Sequence, residues 1–176
     1  MGLNIEGAAT VGADTVRLFQ RGNGEAVGDL LPCNASCDLS LSALLAWLDD
    51  SSGVPPEITN IVSYDLGAAA GVALSFTDAA ATPGGVLYLA AAEDTPNAVD
   101  DGPVVGVAAG AITEAEARWA LIRGEDGAPL LDKAEGLVLD QADPRRGWVV
   151  FDLDDPDRPS ELAPLRLIGP WPGLGA

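Results

Sequence analysis

Apolar and polar positions along the chain fall into one recurring unit: an apolar strand, a turn rich in Gly, Pro or Asp, and a second apolar strand. The first instance is Asn4-Ile5-Glu6-Gly7-Ala8-Ala9, then Thr15-Val16-Arg17-Leu18-Phe19-Gln20. The second covers 75–80 and 86–91, and the third covers 133–138 and 148–152. Short apolar runs separated by such turns are hairpin signals. Aligning the three hairpins puts Glu6, Thr77 and Glu135 in equivalent places, 71 and 58 residues apart. A sheet of about four strands with its loops fills such a period, which is the sequence signature of a repeat architecture.

The pattern predicts strands at 4–12, 15–20, 26–32 and 57–66 in the first unit. In the second it predicts 71–80, 85–93, 103–112 and 117–123, and in the third 133–140, 147–153 and 161–168. One helix interrupts the first unit. Leu41, Leu44, Leu45 and Leu48 recur at helical spacing after Ser40, an N-cap residue, and Gly53 with Pro55-Pro56 stops the run. Its leucine stripe is expected to pack on the core. The fold class is therefore all-β: antiparallel blades of β-propeller type, with one short inserted helix. The chain of 176 residues reads as a single domain with units 1–67, 68–126 and 127–176. A closed ring takes at least about four blades, so an incomplete propeller or a fragment of a longer chain is expected. A sandwich of repeated hairpins is the structural alternative.

Several segments stand together along nearly the whole chain. They are Leu3-Asn4-Ile5-Glu6-Gly7, Gln20-Arg21-Gly22-Asn23, Phe76-Thr77-Asp78-Ala79, Ala91-Ala92-Glu93-Asp94, Asp100-Asp101-Gly102-Pro103, Lys133-Ala134-Glu135-Gly136-Leu137 and 154–160. This combination resembles a bacterial family of uncharacterised propeller-like proteins. That family is in turn remotely similar to the esterase-like propeller domain associated with some phytases. The resemblance implies the propeller fold and, at its furthest reach, a hydrolase. It carries over no reaction, because a shared fold does not establish a shared function. Family members carry further sequence before the Asn-Ile-Glu-Gly segment, which again implies a truncated propeller.

Charge and composition narrow the chemistry. A formal net charge of −18 opposes duplex nucleic acid and anionic membranes, both of which are bound through Lys and Arg. The acidity reads either as solubility or salt adaptation, or as a cation-binding face. No histidine is present, which removes Ser-His-Asp triads, Cys-His pairs and His-ligated metals. Cys33 and Cys37 lie four apart without other soft ligands, so reduced thiols or a local disulfide are expected, not zinc. No apolar run approaches the ~20 residues of a membrane span. The first residues lack the basic and apolar regions of a signal peptide. A cytoplasmic address is the default, with a mature secreted or truncated form as the alternative.

Hairpin geometry then points to one rim. The start of a first strand lies beside the end of the second, so Asn4 and Glu6 should meet Gln20, Arg21 and Asn23. Thr77 and Asp78 should meet Glu93 and Asp94, and Lys133 and Glu135 should meet Asp152, Asp154 and Asp155. The opposite hairpin ends are expected to carry fewer charges. Glu6 and Glu135 interrupt apolar strands, where a carboxylate is costly unless paired or ligating. They read either as structural ion pairs or edge charges, or as ligand or metal groups, and the glycine after each permits close packing. The turn Asp152-Leu153-Asp154-Asp155-Pro156-Asp157 offers oxygen ligands at alternate positions, as calcium prefers. A solvated acidic turn is the competing reading.

Two functions follow as expectations. One is a calcium-assisted hydrolase of ester or phosphoester substrates, with Glu6 or Glu135 as base and Arg21 and Lys133 holding the developing charge. Asn4, Asn23, Thr77, Asp78 and Glu93 would then bind substrate, and Asp152, Asp154, Asp155 and Asp157 the metal. The other is a non-catalytic scaffold that binds a small molecule or protein on the same acidic rim. Open sheet edges predict self-association in either case.

Overall fold

A computed structural model describes residues 3–23, 26, 28–29, 31–95, 102–114, 117–153, 155 and 157–174. The described residues form three antiparallel sheets, each a meander. The first holds β1 (Ile5–Thr10), β2 (Thr15–Gln20), β3 (Asn34–Ser40) and β4 (Thr59–Tyr64), in that order. The second holds β5 (Ala68–Ala69), β6 (Val72–Thr82), β7 (Gly85–Glu93), β8 (Val104–Ile112) and β9 (Ala117–Leu121). The third holds β10 (Lys133–Leu139), β11 (Arg146–Asp152) and β12 (Glu161–Arg166). The expected strands are all found except one. The third strand of the first sheet is 34–40, where Asn34 is bonded to Leu74 and Phe76 of the second sheet, not 26–32, part of which lies outside the described residues.

The sheets stack through β1, β6 and β10, the leading long strands of the first, second and third sheets. β1 packs on β6, and β10 packs on β6 and β7. Each leading strand carries a β-bulge at the same place. The register skips Glu6 between Ile5 and Gly7, Thr77 between Phe76 and Asp78, and Glu135 between Ala134 and Gly136. A bulge inserts one residue against its partner strand, bending the strand and re-aiming a side chain. Each of the three residues aligned from the sequence is therefore the extra residue of a bulge. Glycine beside the bulge has a steric role in the first sheet. A Cβ on Gly7 would lie 3.0 Å from the Ala79 nitrogen of the second sheet.

Burial on both faces explains the apolar run of the second sheet. β7 sends Val86, Tyr88, Ala90 and Ala92 into a core shared with the first sheet, and Leu87 and Leu89 into a core shared with the third. β11, in an outer sheet, alternates buried and exposed positions. Phe76 is the hub of the first core. Its ring meets Phe19 at 5.2 Å, Tyr64 at 5.6 Å and Tyr88 at 5.1 Å, each edge to face, the arrangement favoured by the ring quadrupole. The second core is completed by Leu167, Trp171 and Leu174, after β12.

The helix α1 (Leu41–Asp49) starts where expected. Ser40 Oγ accepts from Ala43 N at 3.2 Å and donates to Asp14 Oδ2 at 2.7 Å. Its leucine stripe does not enter the core. No helix residue is buried, and Leu45 and Leu48 are exposed. The space beneath the first sheet is already filled by the second, so the helix stays outside, against β3. No helix among the described residues is long and apolar enough to cross a membrane.

Candidate functional site

The polar ends of the three sheets converge on a cluster of charges. Beyond β2, Arg21 N donates to Asn4 O at 2.8 Å. Gln20 closes the same corner, its Oε1 accepting from Asn4 N at 2.8 Å and its Nε2 donating to Arg21 O at 2.6 Å. These local bonds turn the Arg21 side chain inward, where it is buried. Its Nη2 donates to Oε2 of Glu93, at the end of β7, and its Nη1 lies 3.7 Å from Glu6 Oε1. The Asn23 amide, with its oxygen toward Arg21, accepts from Nε at 3.0 Å and Nη2 at 3.2 Å. The second Glu93 oxygen accepts from Gly102 N at 2.9 Å.

Lys133 opens β10 and is also buried. Its Nζ stands 3.0 Å from Glu135 Oε1. Burial pulls the ammonium down, but the Glu135 hydrogen bond and charge, with the charge of Glu93, hold it above its ordinary value against repulsion from Arg21. Lys133 therefore stays protonated at neutral pH and supplies charge there, not a free amine. Arg21, Glu93 and Lys133 come one from each sheet, and each feels the other two. A buried ion cluster of this kind is retained only when its members are paired. Glu6 and Glu135 keep 26% and 30% of their side-chain surface open beside the two buried cations.

Other expected rim residues lie elsewhere. Thr77 and Asp78 do not meet Glu93, because β6 begins at Val72 and its Thr77–Asp78 bulge faces Leu89 and Ala90. Thr77 is buried, and its hydroxyl donates to Ala134 O at 2.6 Å. Asp78 Oδ2 accepts from Leu137 N at 2.6 Å. Burial pushes the Asp78 carboxyl up, only partly offset by backbone hydrogen bonds from Ala79 and Leu137. Both side chains bolt the second sheet to the third. Asn34 does the same between the first and second sheets. It accepts from Gly22 N at 3.0 Å and Phe76 N at 3.2 Å and donates to Leu74 O at 2.8 Å. Sequence reasoning missed Asn34, since a lone polar residue at a strand start carries no signal of its partners.

Asp152 is exposed and is the cross-strand partner of Lys133. Asp155 and Asp157 are exposed, and Asp155 Oδ1 accepts from Asp157 N at 3.0 Å, a local turn bond. Asp154 lies outside the described residues. Among the described residues, no three His, Cys, Asp or Glu side chains are grouped to hold a metal ion. Cys33 and Cys37 are free thiols, and burial, then the charge of Asp38, pushes Cys37 up.

The far hairpin ends are not uniformly charge-poor. The third turn and its neighbours carry Asp140, Asp143, Arg145, Arg146 and Arg166. Residues 1–156 match the model of a family of unknown function (DUF6910). No curated protein and no solved structure matches the chain.

Proposed function

The chain belongs to this family of unknown function (DUF6910), and from that premise we propose a non-catalytic binding domain of propeller-like blades, with the converging polar rim as its ligand-facing end. The observation that carries this reading is the pairing of the rim charges. Arg21 is engaged by Glu93 and Glu6, and Lys133 by Glu135. The Arg21–Glu93 pair joins the first sheet to the second, and the other two neutralise the buried cations within their own sheets, which is a structural task. What they leave toward solvent is acceptor-rich: Glu6, Glu135 and Asp152. A small molecule with several donors, or a basic protein segment, fits such a surface. Nucleic acid and anionic membranes are disfavoured by the net charge of −18. Equivalent bulges in three leading strands support the blade reading over a two-sheet sandwich.

The second reading is a calcium-assisted hydrolase of ester or phosphoester substrates. It is favoured by the open surface of Glu6 and Glu135 beside two buried cations. The turn containing Asp152, Asp154, Asp155 and Asp157 is its proposed calcium site.

One experiment separates the two. The protein is assayed on p-nitrophenyl acetate and p-nitrophenyl phosphate with and without calcium, while its melting temperature is followed. The binding reading expects no turnover above background. Calcium-dependent turnover that disappears in Glu135→Gln would sink it in favour of the hydrolase. A calcium-induced rise in melting temperature that is lost in the Asp152→Asn, Asp154→Asn double variant would support the metal site. An equal rise with sodium chloride at matched ionic strength would mean general screening instead.

A further inference from the structure

Positive charge in this acidic chain is concentrated away from the rim. The chain has nine basic residues against 27 acidic ones. Five of the nine (Arg118, Arg123, Arg145, Arg146 and Arg166) lie on or beside the outer strands of the second and third sheets. A cleft of about 920 Å³ opens there, lined by three of them, Arg123, Arg146 and Arg166, and by two of the four tryptophans, Trp148 and Trp171. Its acidic lining is Glu125 and Asp140. The ratio of acid to base is thus three to one in the chain and two to three in the cleft. The volume is at the upper end of small-molecule sites, which run to roughly 1,000 Å³.

Arg146 and Arg166 are direct cross-strand partners in β11 and β12. Their side chains therefore rise from one face of the sheet, where like charges repel. Asp143 relieves this only through an exposed contact of 3.4 Å with Arg146, a kind of pair that contributes little. The Arg166 side chain makes no ion pair or hydrogen bond among the described residues. Arg123 spends one donor on Gly127 O at 2.8 Å and has others left, since a guanidinium carries five. Trp171 is almost buried, with its indole nitrogen bound to Ile168 O at 3.3 Å, and forms a fixed wall. Trp148 remains partly open to solvent.

We propose that this cleft binds a small organic anion: an oxyanion group held between Arg146 and Arg166, on a flat apolar body that packs against tryptophan. An oxyanion between the two arginines replaces their repulsion with charge-assisted, bidentate hydrogen bonds. The apolar lining of the cleft gains from excluding water. The site is separate from the rim, because Arg146 starts β11 and Asp152, beside Lys133, ends it.

The test titrates the full chain with phenyl phosphate at fixed ionic strength, by calorimetry and tryptophan fluorescence. Inorganic phosphate and phenol are the two comparison ligands. Saturable one-to-one binding of phenyl phosphate is expected, at least about tenfold tighter than either comparison ligand. Arg166→Gln should weaken it about tenfold, the loss of one charge-assisted contact. The same change should leave the melting temperature of the unliganded protein unchanged or raise it, since it removes a like-charge pair. A purely structural Arg166 would lower it. Absence of saturable binding, inorganic phosphate binding as tightly as phenyl phosphate, or undiminished binding by Arg166→Gln each overturns the proposal.

Discussion

Arg21 and Glu93 are 72 residues apart and almost fully buried, and each is the other's main charge partner. Arg21→Met should cost about 3–5 kcal/mol, because it strands a buried carboxylate. Adding Glu93→Leu should recover most of that loss, since an apolar pair of similar volume often replaces a buried ion pair at little cost. Urea denaturation of the two variants checks both values. If the double variant is no more stable than the single one, the pair is not what holds the two sheets there. Alkaline pH acts on two further residues. Lys133 is held above its ordinary 10.5 by Glu135, and burial pushes the Tyr88 hydroxyl from 10.0 to about 12. Both keep their protons longer in the folded chain. Their contribution is therefore complete below the ordinary values and is lost as pH rises through the folded ones. Melting temperatures should fall between pH 10 and 12, and Tyr88→Phe should flatten that fall. An unchanged alkaline limb in Tyr88→Phe would rule Tyr88 out as its source.

Edges differ in how well they are guarded. β12 carries Pro164, which has no N–H to offer, with Glu161 and Arg166 at its ends. β4 carries Ile61 and Val62 exposed to solvent at the free edge of the first sheet. Charged residues and proline on an edge oppose pairing with another chain, and a long apolar edge invites it. Self-association, if it runs through an edge, should therefore run through β4. Ile61→Lys is expected to lower the average mass in light scattering at high concentration, with less than about 0.5 kcal/mol effect on folding, as for an exposed substitution. Equal association by wild type and variant would point to another surface. The helix against β3 shows the limit of periodicity. Leu41, Leu44, Leu45 and Leu48 make a true helical stripe, yet the pattern cannot say whether a core is free to receive it.

Three sheets joined by bolts should melt as one body. Asn34 ties the first sheet to Leu74 and Phe76, and Thr77 and Asp78 tie the second to Ala134 and Leu137. Far-ultraviolet circular dichroism and tryptophan fluorescence should give coincident transitions in the wild type, as a two-state domain requires. Asn34→Ala leaves the Phe76 and Gly22 nitrogens without their acceptor and should cost about 1–3 kcal/mol. If it costs nothing, the first sheet is held by the Arg21–Glu93 pair and by its apolar face. The aromatic cluster around Phe76 makes that second hold substantial.

Hairpins, turns and the equivalence of Glu6, Thr77 and Glu135 were all determined by the sequence alone. A strand's alternation, a Gly-Pro or Asp-rich turn and a polar interruption act over a few residues, within the reach of a local pattern. The rim was legible to the same extent: Asn4 beside Arg21 and Lys133 beside Glu135 and Asp152 follow from hairpin register. Stacking decided the rest. It set Glu93 against Arg21, buried Thr77, left α1 outside, and opened a cleft between sheets whose arginines are scattered from 123 to 166. The third strand of the first sheet was misplaced for the same reason, because Asn34 begins it by bonding to Leu74 and Phe76 of another sheet. Such partners meet only through how one sheet rests on the next, and that depends on the fit of whole faces, which no short stretch of sequence encodes.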